Sequence, residues 1–257
     1  MCGPRRSAEL GSAVRRGLDV MLASFGLVIA APVMGCISIL IRIDSLGPIF
    51  FAQPRLGLDG RHFSVYKFRK FGSSAGGASG MVTLKNDPRM TRVGRVLERW
   101  KLDELPQLWN VLVGDMAIVG PRPEALAFAD CFTGNLLQVL DFKPGLFGPS
   151  QSVFRNEKVL YPEGEDPHEF YRTRLFPAKA RIDLAYYPSR TVVSDLGWIV
   201  LSVLAVLGLT KFTDYSGSSP NLDVVPVGTP PKMEVADVLT RSETRTELDG
   251  VTARAGF

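Results

Sequence analysis

The feature that most constrains this chain is an uncharged run near its N-terminus. Residues 20–41 are 22 consecutive positions without a charged side chain, which is long enough for a helix to enter a bilayer. The run exceeds the hydrophobic region of a cleaved signal peptide, and no small-x-small site followed by a polar start comes after it. The sequence therefore predicts a retained membrane segment.

The flanks of this run decide how it enters the membrane. Basic residues stand on both sides, namely Arg5, Arg6, Arg15 and Arg16 before it and Arg42, Arg55, Arg61, Lys67 and Arg69 after it. The positive-inside tendency then places both ends in the cytoplasm. Pro32 lacks the N–H that the helix ladder needs, so we expect a kink there. The pattern favours a re-entrant helix hairpin over about 17–43, broken at Pro32, with an ordinary kinked span as the alternative.

A small β-hairpin is predicted directly after the membrane segment. Residues 44–70 contain two short β-prone runs, and the pairs Gly47-Pro48 and Asp59-Gly60 punctuate them. Such pairs are typical of turns between strands.

Amphipathic helices are predicted further along the chain. From Thr91 onward, apolar side chains recur at helical spacing, at Val93, Val96, Leu97 and Trp100. A second helix is expected to begin near Asp103, close to its N-cap, and to end at Gly114. Residues 196–210 form an apolar stretch of about 22 Å as a helix, which is short of a roughly 30 Å hydrocarbon core. We expect that stretch to lie in the interface or dip into it.

These elements predict an α+β fold that is mainly α, in a monotopic membrane protein with interfacial amphipathic helices. The expected parts are a basic N-terminal arm at 1–13, one domain at 14–212 and a disordered tail at 213–257. The tail is rich in Ser, Gly, Pro, Thr and charge without hydrophobic periodicity.

Composition narrows the chemistry. The net charge is +4 and the basic residues are scattered, which suits a membrane face or a phosphate-rich substrate better than nucleic acid. Three distant cysteines and two histidines leave too few ligands for a zinc site and disfavour a histidine-based triad. Catalysis is therefore expected to depend on carboxylates and cations.

The pair Asp103-Glu104 is the first candidate for that chemistry. Locally, the pair is explained by an Asp cap and a first-turn Glu at a helix start. The same helix end would keep Asp103 ionised, attract phosphate oxygens and let the two carboxylates form an oxygen-only Mg²⁺ site. An ionised Asp103 could attack phosphorus, with Glu104 as the metal ligand.

Cations that could bind phosphate are also present. Arg122 stands between Pro121 and Pro123, which restrict the backbone and aim the guanidinium. Its planar fork matches phosphate, although pairing with Glu124 or a backbone carbonyl would explain it equally well. Lys67 and Arg69 lie on an expected strand, where surface charge is the simplest explanation.

Taken in order, several segments resemble the bacterial sugar transferase family, the monotopic polyprenyl-phosphate phosphoglycosyl transferases. The matching segments cover roughly residues 14–210 and are Asp44-Ser-Leu-Gly-Pro-Ile-Phe-Phe with Gln53 and Arg55, Tyr66-Lys-Phe-Arg, Asp87-Pro-Arg with Thr91 and Gly94, Leu102-Asp-Glu-Leu-Pro-Gln-Leu-Trp-Asn-Val-Leu, Gly114-Asp-Met, and Val119-Gly-Pro-Arg-Pro-Glu.

The resemblance implies a ping-pong reaction at the cytoplasmic face of the bacterial inner membrane. Asp103 would attack a UDP-sugar and release UMP, and a polyprenyl phosphate such as undecaprenyl phosphate would take the sugar phosphate from the covalent intermediate. The resemblance also implies Mg²⁺ near Glu104 and Asp103, and a phosphate held by Arg122. The remaining candidate substrate ligands are Lys67, Arg69, Arg55 and Gln53.

Such an enzyme would begin the assembly of an exopolysaccharide, capsule, O-antigen or glycoprotein glycan, in contact with membrane lipids and without nucleic acid. Two other classes stay open. One is a membrane-anchored scaffold that has lost catalysis, and the other is a membrane phosphohydrolase that passes the phosphoryl group to water. The sugar and the oligomeric state, a dimer being possible, do not follow from the sequence.

Overall fold

The computed structural model describes residues 4–72, 87–162, 164–207 and 209, with side chains from residue 11 onward. The predicted tail at 213–257 lies outside the described residues. The chain divides into two compact units, Met1–Ala129 with Leu140–Gly148 and Asp130–Val139 with Pro149–Phe257. The described structure is mainly helical with two small sheets. The helical character and one small hairpin were predicted, whereas the second sheet was not.

Helix α1 runs from Pro4 to Asp44 and has Pro32 inside it. It therefore starts earlier than the predicted 17–43 segment and includes most of the predicted N-terminal arm. Its helical structure is uninterrupted at Pro32, so the predicted break into two helices is not confirmed. Proline removes one ladder hydrogen bond, and the neighbouring turns keep theirs.

The surface of α1 is suited to lipid. Its Gly11–Asp44 part is long and apolar enough to cross a membrane, with a mean hydropathy of 2.3 in its most apolar window. Large apolar side chains are exposed along it, at Met21, Phe25, Val28, Ile29, Val33, Ile39, Leu40 and Ile43. Ala23, Ile37 and Ile41 are buried on another face. An exposed apolar surface of this kind marks a membrane or protein contact.

The predicted β-hairpin is confirmed. Strand β1, Phe50–Leu56, pairs antiparallel with β2, His62–Phe68. A 3₁₀ turn over Leu58–Gly60 joins them. Asp59 and Gly60 both have positive φ there, at 56° and 72°, which explains why an Asp-Gly pair suits this turn.

Helix α2, Arg92–Arg99, confirms the predicted amphipathic helix. The Thr91 side chain caps it by accepting a hydrogen bond from the Gly94 amide at 2.9 Å. Gly94 lies against the backbone of the residues after β2, where an added Cβ would stand 2.1 Å from the Lys70 carbonyl oxygen. Leu97 is buried, whereas Val96 and Trp100 are exposed.

Helix α3, Gln107–Val113, begins later than predicted. Asp103 is not its N-cap, because a separate 3₁₀ turn over Leu102–Glu104 precedes it and Pro106 stands at the cap position. The turn is tight because Lys101 enters it in the left-handed region, at φ 55°. The helix ends at Gly114, as predicted, with φ 100°.

A two-stranded parallel sheet completes the first unit. Strand β3 is Ala117–Val119 and β4 is Gly145–Phe147. The backbones meet closely just beyond β3, where a Cβ on Gly120 would lie 2.2 Å from the Lys143 carbonyl oxygen. Two 3₁₀ segments, Leu126–Cys131 and Gly134–Asp141, lie where the chain passes between units.

The second unit is helical in its described part. It contains α4 (Pro149–Val153), α5 (Pro167–Phe170), a π-helical turn (Tyr171–Leu175), α6 (Phe176–Tyr186) and α7 (Val192–Val206), with 3₁₀ turns at Glu157–Val159 and Tyr187–Ser189. Helix α7 begins four residues before the predicted stretch, at a capping box formed by Thr191 and Ser194. Its 15 residues keep it too short for a straight span.

Candidate active site

The acidic pair lies in the 3₁₀ turn between α2 and α3. Leu102 and Leu105, on either side of the pair, pack on a buried cluster that includes Phe68 of β2 and Leu97 of α2. This packing fixes the turn against the hairpin, so the polar residues of the turn and the side chain of Lys67 approach one another.

Asp103 is buried and poorly satisfied. The residue is 3% exposed, and its Oδ1 accepts no hydrogen bond from the described residues. Burial raises the pKa of Asp103, the adjacent charge of Glu104 raises it further, and Lys67, Lys70 and Lys101 oppose them. The expected favourable effect of a helix N-terminus on the Asp103 charge is not confirmed, because Asp103 lies in a 3₁₀ turn before α3 and its pKa is shifted upward.

Glu104 has the opposite environment. Lys67 Nζ lies 2.7 Å and Arg122 Nη1 3.7 Å from the same Glu104 oxygen, Oε1. Burial disfavours its charge, but the charges of Lys67 and Arg122 outweigh burial and hold the pKa of Glu104 well below its usual range. Glu104 is therefore a stable anion beside a carboxyl group that ionises less readily.

Lys67 is the cation closest to the acidic pair. Its side chain is 17% exposed, and burial lowers its pKa to about 8. The Glu104 charge works against that change, whereas Arg122 adds to it. The Lys67 charge is therefore easier to lose than that of an ordinary surface lysine.

Arg122 follows β3 in the Pro121-Arg122-Pro123 element. The structure shows a contact that the sequence did not suggest, an approach of Arg122 Nη1 to Glu104 Oε1 at 3.7 Å. The backbone carbonyl of Glu124 accepts the Leu56 amide at 3.0 Å. The β1 strand thereby holds the end of the proline element.

The other predicted substrate ligands fall in two places. Arg55 donates to the Gln53 side chain at 2.6 Å and to the Pro123 carbonyl at 3.2 Å, so both lie beside the proline element. Arg69 is buried and donates to the carbonyls of Ser45 and Leu46, at 2.8 and 2.5 Å, just after α1. The structure therefore brings Lys67, Glu104 and Arg122 together and gives Arg69 a different set of contacts.

Asn110 is a functional residue that the sequence reasoning missed. It is fully buried in α3, and its amide bonds the open edge of β2, accepting from Tyr66 N at 3.1 Å and donating to the Ser64 carbonyl at 2.8 Å. It holds α3 in register with the strand that carries Lys67. A polar residue among the apolar positions Leu108, Trp109 and Leu112 was the available signal.

The donor set is compatible with Mg²⁺. Among the described residues no group of three or more His, Cys, Asp or Glu side chains is close enough to hold a metal. Mg²⁺ nevertheless often uses one or two carboxylates with waters and substrate phosphates. The Oδ1 of Asp103, which accepts no hydrogen bond from the described residues, fits this use.

A membrane-length helix joined to a unit with a buried acidic pair and several cations defines a membrane-associated site for an anionic ligand. The chain belongs to the bacterial sugar transferase family, whose model matches residues 10–208. The resemblance inferred from the motifs is thereby confirmed.

Named relatives agree with the family. The chain is 43% identical over 206 residues to the exopolysaccharide production protein PSS of Rhizobium leguminosarum bv. phaseoli, covering 76% of this chain and 95% of that protein. It is 40% identical over 195 residues to the UDP-glucose:undecaprenyl-phosphate glucose-1-phosphate transferase of Escherichia coli, covering 74% and 39%. It is 32% identical over 192 residues to the UDP-N-acetylgalactosamine-undecaprenyl-phosphate N-acetylgalactosaminephosphotransferase of Aeromonas hydrophila, covering 72% and 44%. The chain thus spans less than half the length of the last two.

Proposed function

We propose that this protein transfers a sugar-1-phosphate from a UDP-sugar to undecaprenyl phosphate and releases UMP. The observation that carries the proposal is the buried Asp103, whose Oδ1 is unsatisfied among the described residues, next to a Glu104 that Lys67 and Arg122 keep ionised. Family membership and the substrates named for the relatives support the same reaction.

The first half-reaction forms a covalent intermediate. A carboxylate oxygen of Asp103 bonds to the phosphorus that carries the sugar, and the bond from that phosphorus to the UMP oxygen breaks. Lys67 and Arg122 are placed to bind the non-bridging phosphate oxygens as negative charge shifts toward UMP. UMP leaves with the electron pair of the broken bond.

The second half-reaction regenerates the carboxylate. A phosphate oxygen of undecaprenyl phosphate bonds to the same phosphorus, and the bond to Asp103 breaks. The product is an undecaprenyl diphosphate sugar. When bound by Asp103 and Glu104, Mg²⁺ would supply positive charge that offsets repulsion between the carboxylates and the diphosphate.

The contacts of α1 support a re-entrant arrangement. Arg16 donates to the Val111 carbonyl at 2.6 Å, and Asp44 accepts from the Val93 amide at 3.1 Å, so both ends bind the unit that carries the charged site. A straight helix would separate Arg16 and Asp44 by about 42 Å, more than the roughly 30 Å hydrocarbon core. In this proposal α1 bends at Pro32, so that both polar ends would stay at one membrane face, the cytoplasmic face of the inner membrane.

The re-entrant arrangement has a direct topological test. An epitope at the N-terminus and another inserted within residues 73–80 should react with antibody from the same side of sealed inverted vesicles. Reaction from opposite sides would show that α1 is an ordinary span. We propose residues 14–212 as the catalytic domain.

The reaction is tested with the purified full chain, Mg²⁺, undecaprenyl phosphate and a panel of UDP-sugars that includes UDP-glucose and UDP-N-acetylgalactosamine. We expect UMP release and a sugar-labelled lipid. Without acceptor, one UMP per enzyme and a matching mass increase on Asp103 are expected. Asp103→Asn should lower turnover by a factor on the order of 10⁴ or more and stay membrane-bound.

The same assay separates the competing classes. Sugar phosphate that appears in buffer instead of lipid would indicate a phosphohydrolase, and no UMP release with any donor would favour a scaffold. Asp103→Asn with near-normal turnover would refute Asp103 as the nucleophile. An Asp141→Asn variant is a matched control, because that residue is exposed and makes none of the described contacts of the site.

A further inference from the structure

Two charged side chains of α1, Arg16 and Asp19, bind α3 and β3. Arg16 Nη1 donates to the Val111 carbonyl at 2.6 Å, and its Nη2 donates to the Leu112 carbonyl at 2.8 Å. Both carbonyls lie in the last turn of α3, where helices have carbonyl groups without intrahelical partners. The planar fork of arginine matches two adjacent acceptors, so this contact sets an orientation as well as a distance.

Asp19, one turn further along α1, binds the next element. Its Oδ1 accepts a hydrogen bond from the Ile118 amide at 2.9 Å. On the other side of β3, Ala117 N donates to the Pro144 carbonyl at 2.8 Å and Gly120 N to Phe147 at 2.9 Å. The short strand is therefore held by β4 on one edge and by α1 on the other.

These contacts lie between the two halves of the site. The Asp103-Glu104 turn directly precedes α3, and the Pro121-Arg122-Pro123 element directly follows β3. Arg16 binds the middle of the segment that joins them, at the end of α3, and Asp19 binds it near its end, in β3. Its placement decides how far Arg122 lies from Glu104, now 3.7 Å between Nη1 and Oε1.

We propose that Arg16 and Asp19 are positioning residues. Through their contacts with α3 and β3, the position of α1 determines how far Arg122 lies from Glu104. The proposal rests on the proposed transferase function. Charged groups at the border of an apolar run are costly unless they are bound, which argues that these two contacts are used.

The test compares variants that delete the contact with variants that keep part of it. Asp19→Leu and Arg16→Met should slow UMP release in the first half-reaction about 10- to 100-fold, because small misplacements of a catalytic contact have effects of this size. Asp19→Asn keeps an acceptor oxygen and should stay within a few-fold of wild type. Arg16→Lys keeps one donor and should fall between. Gly35→Ala, where an added Cβ meets nothing within 4 Å, is the control on the same helix.

A second measurement separates positioning from general loss of structure. Arg122→Ala is combined with Asp19→Leu in a double-mutant cycle. If Asp19 acts by positioning Arg122, Arg122→Ala should slow UMP release less in the Asp19→Leu background than in wild type, while membrane retention and the melting temperature of Asp19→Leu stay near wild type. Fully additive rate effects would overturn the proposal, as would a rate loss that follows only the melting temperature.

Amide hydrogen exchange provides a readout that does not depend on activity. Asp19→Leu should speed exchange at Ile118 and also at residues 122–125. Faster exchange at Ile118 alone would overturn the positioning role. If the wild-type chain releases no UMP, the proposed function fails, and exchange at 122–125 still decides whether α1 positions this element.

Discussion

The charge of Lys67 gives the sharpest prediction. Because burial brings the pKa of Lys67 to about 8, this side chain should be about 90% protonated at pH 7 and about 10% at pH 9. If the protonated form binds the phosphate, kcat/KM should fall about ninefold between these pH values. Because this pKa lies below that of an ordinary lysine, activity should fall at a lower pH than the one at which other lysines lose their charge.

The assay is the rate of the UMP burst without undecaprenyl phosphate, so that titration of the lipid phosphate does not contribute. The pH dependence of kcat/KM reports the free enzyme. Lys67→Arg is the matched variant, since its guanidinium remains charged throughout this range. It should flatten the profile between pH 7 and pH 9, even if its altered geometry lowers the rate at every pH.

Lys67→Met tests the size of the contribution. It should be roughly 10²- to 10³-fold slower at pH 7, which is typical for loss of one charge-stabilising donor, and should have no alkaline limb near pH 8. Any titration of the UDP-sugar would appear in all three proteins. The reasoning is refuted if Lys67→Arg keeps the wild-type alkaline limb, or if the wild-type profile is flat from pH 7 to pH 9.

Three further predictions follow from neighbouring contacts. Arg122→Ala should lower kcat/KM by about 10²-fold or more without lowering the melting temperature. Arg69→Ala should mainly lower the melting temperature, because the Arg69 guanidinium binds backbone carbonyls. Equal melting temperatures of the two variants would contradict this distinction. Gly120→Ala should destabilise the protein by about 2 kcal/mol or more in thermal unfolding, since its Cβ would lie 2.2 Å from the Lys143 carbonyl oxygen. Gly35→Ala should be neutral, because an added Cβ there meets nothing within 4 Å. Removing divalent cations with EDTA should stop the UMP burst, and Mg²⁺ should restore it; a burst that persists would exclude a metal requirement.

Local patterns in the sequence predicted the elements whose causes are local. The β-hairpin followed from its turn pairs, and α2 followed from Thr91 and the spacing that buries Leu97. The start of α3 was not predictable in the same way, because the left-handed Lys101 and the separate 3₁₀ turn depend on packing of the turn against other elements. The α4 to α6 region offered no comparable pattern and was not assigned.

The candidate site shows the same division. The resemblance to the sugar transferases indicated that Asp103, Glu104, Lys67 and Arg122 could act together, and the structure brings Lys67 and Arg122 to Glu104. The pairing of Arg69 with the end of α1 could not be inferred, because a strand cation looks the same whether it binds a ligand or a distant carbonyl. The opposite pKa directions of two adjacent carboxylates also depend on which one the cations reach.

That asymmetry suggests how a pair of carboxylates can avoid repelling its own substrate. Glu104 remains an anion, because Lys67 and Arg122 are bound to it before anything enters. Asp103 has no such partner among the described residues, and burial together with the Glu104 charge disfavours its ionised form. Adjacent groups whose pKa values are driven apart commonly have different roles. In the proposed reaction, Asp103 would therefore become a strong nucleophile only when added positive charge offsets that of Glu104, which links formation of the nucleophile to arrival of the ligands.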